Sequence, residues 1–266
     1  MKPIKLILTI EAINASAIQC YAVDSNDIIS YFSYYPGLNR TDFSNNNKLT
    51  DILIKNKFQL EKVMLSASKR KIKVGQKINC VFITDFNFLN ESDYNQFIRL
   101  DRRNGILNIS SSPDETKDIC KLYADGSFAS ESFTSGYGII IDYNDGQTNV
   151  INQSFTGGSS NLMELKAVQK GLKQLIEFER IQVNTDSRYV IRGMVQWMHF
   201  WKYNNWQTAS GSEVKFAEVW KDLNAITDGK LIEFKWIKGH SGHTLQDFCH
   251  ILAKESAITI QGNNKK

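Results

Sequence analysis

The chain has 266 residues, 42% hydrophobic and 23% charged, which allows a substantial core in one large domain or two ordinary ones. Its four cysteines (Cys20, Cys80, Cys120 and Cys249) are far apart and form no CxxC pair, which argues against a zinc ribbon or a disulfide framework, and no apolar run approaches the roughly 20 residues of a membrane helix, so a cytoplasmic chain with no membrane partner is expected. The net charge of +4 is uneven, with 15 Lys and Arg against 10 Asp and Glu in residues 1–112 and 17 against 18 in the rest, so a polyanion would draw its general attraction from the N-terminal half.

The first apolar run, Met1 to Ile10, is broken by Thr9 and Glu11 and lacks a small-residue cleavage site. It reads as a buried strand rather than a leader. Leu6–Ile13, Ala17–Val23 and Ile28–Tyr35 are expected as three consecutive strands, Leu49–Ser68 as one helix, and Asn79–Phe86 as a strand ending in Thr84-Asp85. The polar stretch Ser110–Lys117 contains Pro113 and reads as a linker. The expected organisation is therefore an N-terminal α+β domain over 1–112 and a second domain over 118–260.

The second domain is patterned more clearly. Ile119–Ala124 reads as a strand ending at Asp125, Tyr137–Tyr143 as a second, and Asn149–Phe155 as a third, joined to it through Asn144-Asp145-Gly146, a hairpin turn signal. Helical spacing covers Asn161–Phe178, and Ile181–Thr185 is a fourth strand with Asp186 at its end. Helices are expected over Ser187–Met198, Val214–Leu223 and Leu245–Ser256, with a fifth strand at Leu231–Ile237. The order β-β-β-α-β-α-α-β-α implies an α/β fold with a mixed five-stranded sheet and helices on its faces. The first half begins with a similar order, and Glu11 and Asp85 stand roughly where Asp125 and Asp186 do. A decayed internal repeat would explain this, and so would a common meander-plus-helix arrangement.

Three carboxylates, Asp125, Glu164 and Asp186, fall at expected strand and helix ends and are followed by Lys238-Gly-His-Ser-Gly-His243. Hydrolysis of a phosphodiester needs an activated water and a neutralised leaving oxygen. Two divalent ions about 4 Å apart can supply both, and hard ions prefer carboxylate ligands on rigid elements.

Residues 118–258 resemble type 1 ribonuclease H, which cuts the RNA strand of an RNA/DNA hybrid. The resemblance rests on Asp125-Gly-Ser, Gly136-Tyr-Gly, Asn161-Leu-Met-Glu-Leu, Thr185-Asp-Ser-Arg-Tyr-Val190, Gln196-Trp, Asn205-Trp-Gln-Thr208 and Trp236-Ile-Lys-Gly-His-Ser-Gly-His243. It implies that Asp125, Glu164 and Asp186 hold two Mg²⁺ or Mn²⁺ ions. Glu164 would also accept a hydrogen bond from a ribose 2′-hydroxyl. His240 would serve on a mobile loop, helping to protonate the leaving group or release product. Ser127, Ser159 and Asn161 match substrate-contacting positions, and Trp201 and Lys202 lie in the expected substrate-handling protrusion. His243 would order the loop or cap the last helix.

The chain departs from the family at its fourth carboxylate, where it has His250. The imidazole could ligate an ion, Asp247 could substitute from one helical turn earlier, or the site could be weak. Ligation by His250 is favoured, with Mn²⁺ then gaining over Mg²⁺. Loss of the fourth ligand would alternatively leave a non-catalytic or weakly active hybrid-binding module. The protrusion is poor in cations, and two basic runs, Lys69-Arg-Lys71 with Lys73 and Lys77, and Arg99 with Arg102 and Arg103, are candidate auxiliary nucleic-acid surfaces or ordinary solvated faces. A protein-docking role for the N-terminal domain is a further alternative.

Overall fold

The computed structural model describes residues 3–83, 89–116, 119–208, 212–239 and 242–263. The chain forms two compact units: Met1–Asn87 with His199–Lys215, and Phe88–Met198 with Phe216–Lys266.

The first unit is built on β1 (Pro3–Ile13), β2 (Ile18–Asp24), β3 (Ile29–Tyr35), β4 (Arg40–Phe43), α1 (Lys48–Lys55), α2 (Lys57–Ser68) and β5 (Lys77–Ile83). The sheet order is β4-β3-β2-β1-β5, and every pairing is antiparallel. Leu6, Leu8 and Ile10 alternate along β1 toward a core completed by Phe32, Tyr34, Leu49, Leu53, Leu60 and Met64, the period of two expected of a half-buried strand. The single helix expected over 49–68 is broken at Asn56. Its side-chain amide donates to the Ile52 carbonyl (2.9 Å) and its side-chain oxygen accepts from Gln59 (3.0 Å), the competition with the helical ladder for which Asn is known.

The repeat idea fails on strand direction. In the second unit the strand after the crossover runs parallel to the first strand, whereas β5 runs antiparallel to β1. The added strand β4 reverses the chain once more before the helices. Glu11 sits at a bulge in β1 and is exposed, and Asp85 lies outside the described residues.

The second unit opens with a 3₁₀ turn (Glu91–Asn95) and a hairpin, β6 (Phe97–Asp101) and β7 (Ile106–Ser110), neither of them foreseen. Then follow β8 (Cys120–Ala129), β9 (Thr134–Asp142), β10 (Thr148–Thr156), α3 (Ser160–Gln174), β11 (Arg180–Thr185), α4 (Arg188–Arg192), a π turn (Gly193–Trp197), α5 (Met198–Tyr203), α6 (Ala217–Ile226), β12 (Leu231–Trp236) and α7 (Thr244–Asn263). The helix α5 begins in this unit and continues into the first.

The sheet is mixed, as expected, but has seven strands rather than five, in the order β10-β9-β8-β11-β12-β6-β7. The two extra strands are the β6–β7 hairpin, which pairs antiparallel with β12 and covers what would otherwise be an open edge. A hairpin with five-residue strands gives too short an alternation to read from sequence. Its attachment is polar as well as apolar. Glu233 on β12 is fully buried and accepts from Arg99 on β6 (2.6 Å), from Gln182 (2.6 Å) and from the Asp114 backbone (2.9 Å). Arg102 donates to the Asn224 carbonyl and side chain (2.8 and 2.9 Å), and Arg103 pairs with Asp101. This second basic run therefore serves the fold and is not a cationic surface.

Candidate active site

Asp125 lies within β8, not at its end, because the strand continues to Ala129. The pairing of β8 with β11 places Asn184 opposite Tyr123. Asp186 follows directly after the end of β11 at Thr185, on the side of the sheet edge toward which Asp125 extends along β8. This is also where the sheet changes direction of growth, with β9 and β10 on one side of β8 and β11 and β12 on the other. Crevices at such switch points are the usual ligand sites of open α/β sheets.

Glu164 is brought in by α3, capped by Ser159, whose side chain accepts from the Leu162 amide (3.3 Å). The approach depends on Gly126. A Cβ at that position would lie 2.2 Å from the Glu164 amide nitrogen and 2.4 Å from the Met163 carbonyl carbon, so only glycine lets the helix settle beside Asp125. Ser187 caps α4 by accepting from the Val190 amide (3.2 Å), and its hydroxyl donates to Glu164 Oε2 (2.5 Å). The indole of Trp236 donates to the Asp186 carbonyl (2.9 Å). Gly239 passes so close to Asp186 that a Cβ there would be 2.9 Å from its carboxylate.

Burial pushes the Glu164 carboxyl up to about 7, and the charges of Asp186 and Asp125 push the same way, against the stabilising hydroxyl of Ser187. Asp186 and Asp125 are thus near enough for their charges to act on Glu164.

The last helix brings the fourth group. Gly136 and Gly138 on β9 let α7 pack directly on the strand, since a Cβ on Gly138 would lie 2.4 Å from the Cys249 carbonyl oxygen. Gly138 is the register partner of Asp125, so the residue after Cys249 arrives at Asp125. His250 Nδ1 lies 2.7 Å from Asp125 Oδ2. A carboxylate only accepts, so Nδ1 is the donor in this pair. Asp247 lies one turn earlier on α7 and is half-buried.

A family model described as RNase H matches residues 117–258. Ribonuclease H of Actinobacillus pleuropneumoniae serotype 5b is 37% identical over 139 residues, 52% of this chain and 90% of that protein. Ribonuclease HI of Haemophilus ducreyi is 38% identical over 136 residues, 51% of this chain and 88% of that protein. The chain belongs to the RNase H family. Among solved structures, the crystal structure of LC9-RNase H1, a type 1 RNase H with the type 2 active-site motif, aligns at a TM-score of 0.47 and 25% identity, over 55% of this chain and 74% of that one.

Within this RNase H half, the divalent ions implied by the family can be weighed against the residues present. Three hard oxygen donors and an imidazole suit Mg²⁺ or Mn²⁺. Burial raises the Glu164 carboxyl and the charges of Asp186 and Asp125 add to it, a cost that a cation would relieve. The donors fit in kind and in charge, although among the described residues no three His, Cys, Asp or Glu side chains are gathered as a ready-made chelate.

The other expected site residues are distributed unevenly. Ser127 lies two residues past Asp125 on β8 and is half-buried, and Asn161 is exposed in the first turn of α3. Trp201 and Lys202 are on α5, in the segment that belongs to the first unit. His240 lies outside the described residues. His243 accepts from the Gln246 amide (3.5 Å) at the start of α7 and packs on the Tyr123 ring, 5.6 Å between centroids.

Sequence reading passed over three further residues around the site. Ser187 and Trp236 stand inside quoted motifs but carried no role there. Gln246, 2% exposed, donates to the carbonyl of Ala124 (3.2 Å), immediately before Asp125. Its helical position, four residues before His250, was the available signal.

Proposed function

We propose that this protein hydrolyses the RNA strand of RNA/DNA hybrids, leaving 5′-phosphate and 3′-hydroxyl ends. The observation that carries the reading is the set of direct contacts among groups from separate elements: Ser187, next to Asp186, donates to Glu164, and His250 lies 2.7 Å from Asp125, with Asp186 and Asp125 close enough for their charges to act on Glu164. Asp125, Glu164, Asp186 and His250 would hold two Mg²⁺ or Mn²⁺ ions. When bound, such ions supply an activated water and a neutralised leaving oxygen.

The chain's own residues do the rest. His250 fixes the Asp125 carboxylate through Nδ1 and presents Nε2, the arrangement in which a carboxylate orients a metal-binding imidazole. Ser187 holds one Glu164 oxygen in place, leaving the other for ion or ribose 2′-hydroxyl. Ser127 and Asn161 would contact the sugar-phosphate backbone or base edges. Ser159 would do so while capping α3, and Trp201 and Lys202 from the protrusion. His240 would pass a proton to the departing oxygen.

The test is incubation of the pure protein with an end-labelled hybrid in Mg²⁺ and, separately, Mn²⁺, beside Asp125→Asn. RNA-strand cleavage abolished by the substitution is expected. Hybrid binding without cleavage in either metal would instead assign a non-catalytic binding module.

A further inference from the structure

The first unit is where the positive charge collects. Its segments 1–87 and 199–215 hold 14 Lys and Arg against 8 Asp and Glu, while the remaining residues hold 18 against 20. The charge is densest between α2 and β5, where Lys69, Arg70, Lys71, Lys73 and Lys77 occur in nine residues with no acid, and all five are exposed.

This loop is built rather than loose. The Gly75 amide donates to the Ile10 carbonyl (2.8 Å) and the Ile10 amide to the Gln76 carbonyl (3.0 Å), which ties the loop to β1. Gln76 closes a turn by accepting from the Lys73 amide (3.1 Å), and Gly75 supplies the positive φ of 81° that the turn requires. Ile72 packs against the core, so Lys71 and Lys73 on either side of it are turned outward.

The loop also touches the segment 199–215. Arg70 lies 3.4 Å from the Ser212 hydroxyl. Ser212 is held by a short hairpin in which Gln207 bridges Glu213 and the Thr208 amide donates to the Ser212 carbonyl (2.8 Å). That segment has only Lys202 and Lys215 against Glu213, whereas the loop beside it carries five exposed cations.

We propose that the Lys69–Lys77 loop, with the described residues beside it (199–208 and 212–215), forms a surface that binds the phosphate backbone of the RNA/DNA hybrid. The inference rests on the nuclease reading for the identity of the polyanion. Fixed exposed cations with no interspersed acid suit repeated phosphates. The loop's one exposed apolar residue is Val74, too little for a membrane surface, which needs a wider apolar face.

The experiment uses the full chain and a fluorescently labelled hybrid in EDTA, with affinity measured across a salt series. The variant carries Lys69→Gln, Arg70→Gln, Lys71→Gln and Lys73→Gln, and a control carries Lys48→Gln, Lys55→Gln and Lys254→Gln, exposed cations outside both segments. The slope of log K against log salt should flatten by about 2–4 in the variant, at roughly 0.9 for each phosphate no longer neutralised, and by far less in the control. KM for cleavage should rise at least about tenfold with kcat within twofold. An unchanged slope, or equal slopes in variant and control, with cleavage intact would overturn the proposal and leave the nuclease reading standing. A wild-type chain that neither binds nor cleaves the hybrid would overturn both.

Discussion

Replacing Glu164 by glutamine should stabilise the metal-free protein at alkaline pH, although it removes a proposed ion ligand. In the fold the Glu164 carboxyl is pushed from 4.5 to about 7 by burial and by its two acidic neighbours. Between those values the folded chain holds a proton that the unfolded chain has released. Stability therefore falls as pH rises through this window and levels off above about pH 7. A difference of this size corresponds to roughly 3 kcal/mol at 1.36 kcal/mol per pKa unit, an upper figure. Glutamine keeps an acceptor for the Ser187 hydroxyl but carries no charge. In EDTA, urea unfolding followed by tryptophan fluorescence should place Glu164→Gln about 2–3 kcal/mol above wild type at pH 8 and level with it near pH 4. Adding Mg²⁺ at pH 8 should narrow the gap by stabilising wild type alone. If the variant is no more stable than wild type at pH 8 without metal, burial and the two acidic neighbours do not raise the Glu164 carboxyl.

Three further substitutions probe the scaffold. Arg99→Ala leaves the buried Glu233 without its guanidinium and should cost about 3–5 kcal/mol in the same assay, whereas Arg99→Met with Glu233→Leu should recover much of it. Gly138→Ala forces a methyl group against the Cys249 carbonyl. It should cost on the order of 2–3 kcal/mol and reduce cleavage more than the unfolded fraction explains, measured as kcat on protein shown to be folded. His250→Ala removes the partner of a buried carboxylate and should cost about 1.5–3 kcal/mol. The ratio of Mn²⁺ to Mg²⁺ activity should fall with it, and an unchanged ratio would count against imidazole as a ligand.

The RNase H half was readable because its signals are local. Asp125-Gly126, Asn161 to Leu165 and Thr185 to Val190 each carry a carboxylate, and the first and last also carry the residues that seat Glu164: Gly126 for the approach of α3, Ser187 for its oxygen. The positions of the strands followed from apolar runs whose alternation or length was unambiguous. The β6–β7 hairpin was missed because its strands are five residues each and its anchor, Glu233, lies 134 residues from Arg99 in sequence. A salt bridge of that separation leaves no periodic trace. For the same reason the arginines of the hairpin read as a surface charge run, when burial had already committed Arg99 and Arg102 to the fold.

His250 shows how sequence and geometry divide the work. Sequence alone marked it as standing where a carboxylate was expected, and left ligation, replacement by Asp247 and loss of function open. Geometry adds that its proton faces Asp125, through a chain of constraints that starts with Gly138. Glycine there admits α7, α7 carries His250 to the register partner of Gly138, and that partner is Asp125. An aspartate at 250 would face Asp125 as a like charge and add to the charge that, after burial, raises Glu164. Histidine adds none while neutral, and through Nδ1 it satisfies one oxygen of a nearly buried carboxylate. The substitution therefore lowers the charge the fold must carry without metal, and this chain should tolerate metal removal better than a His250→Asp variant of itself.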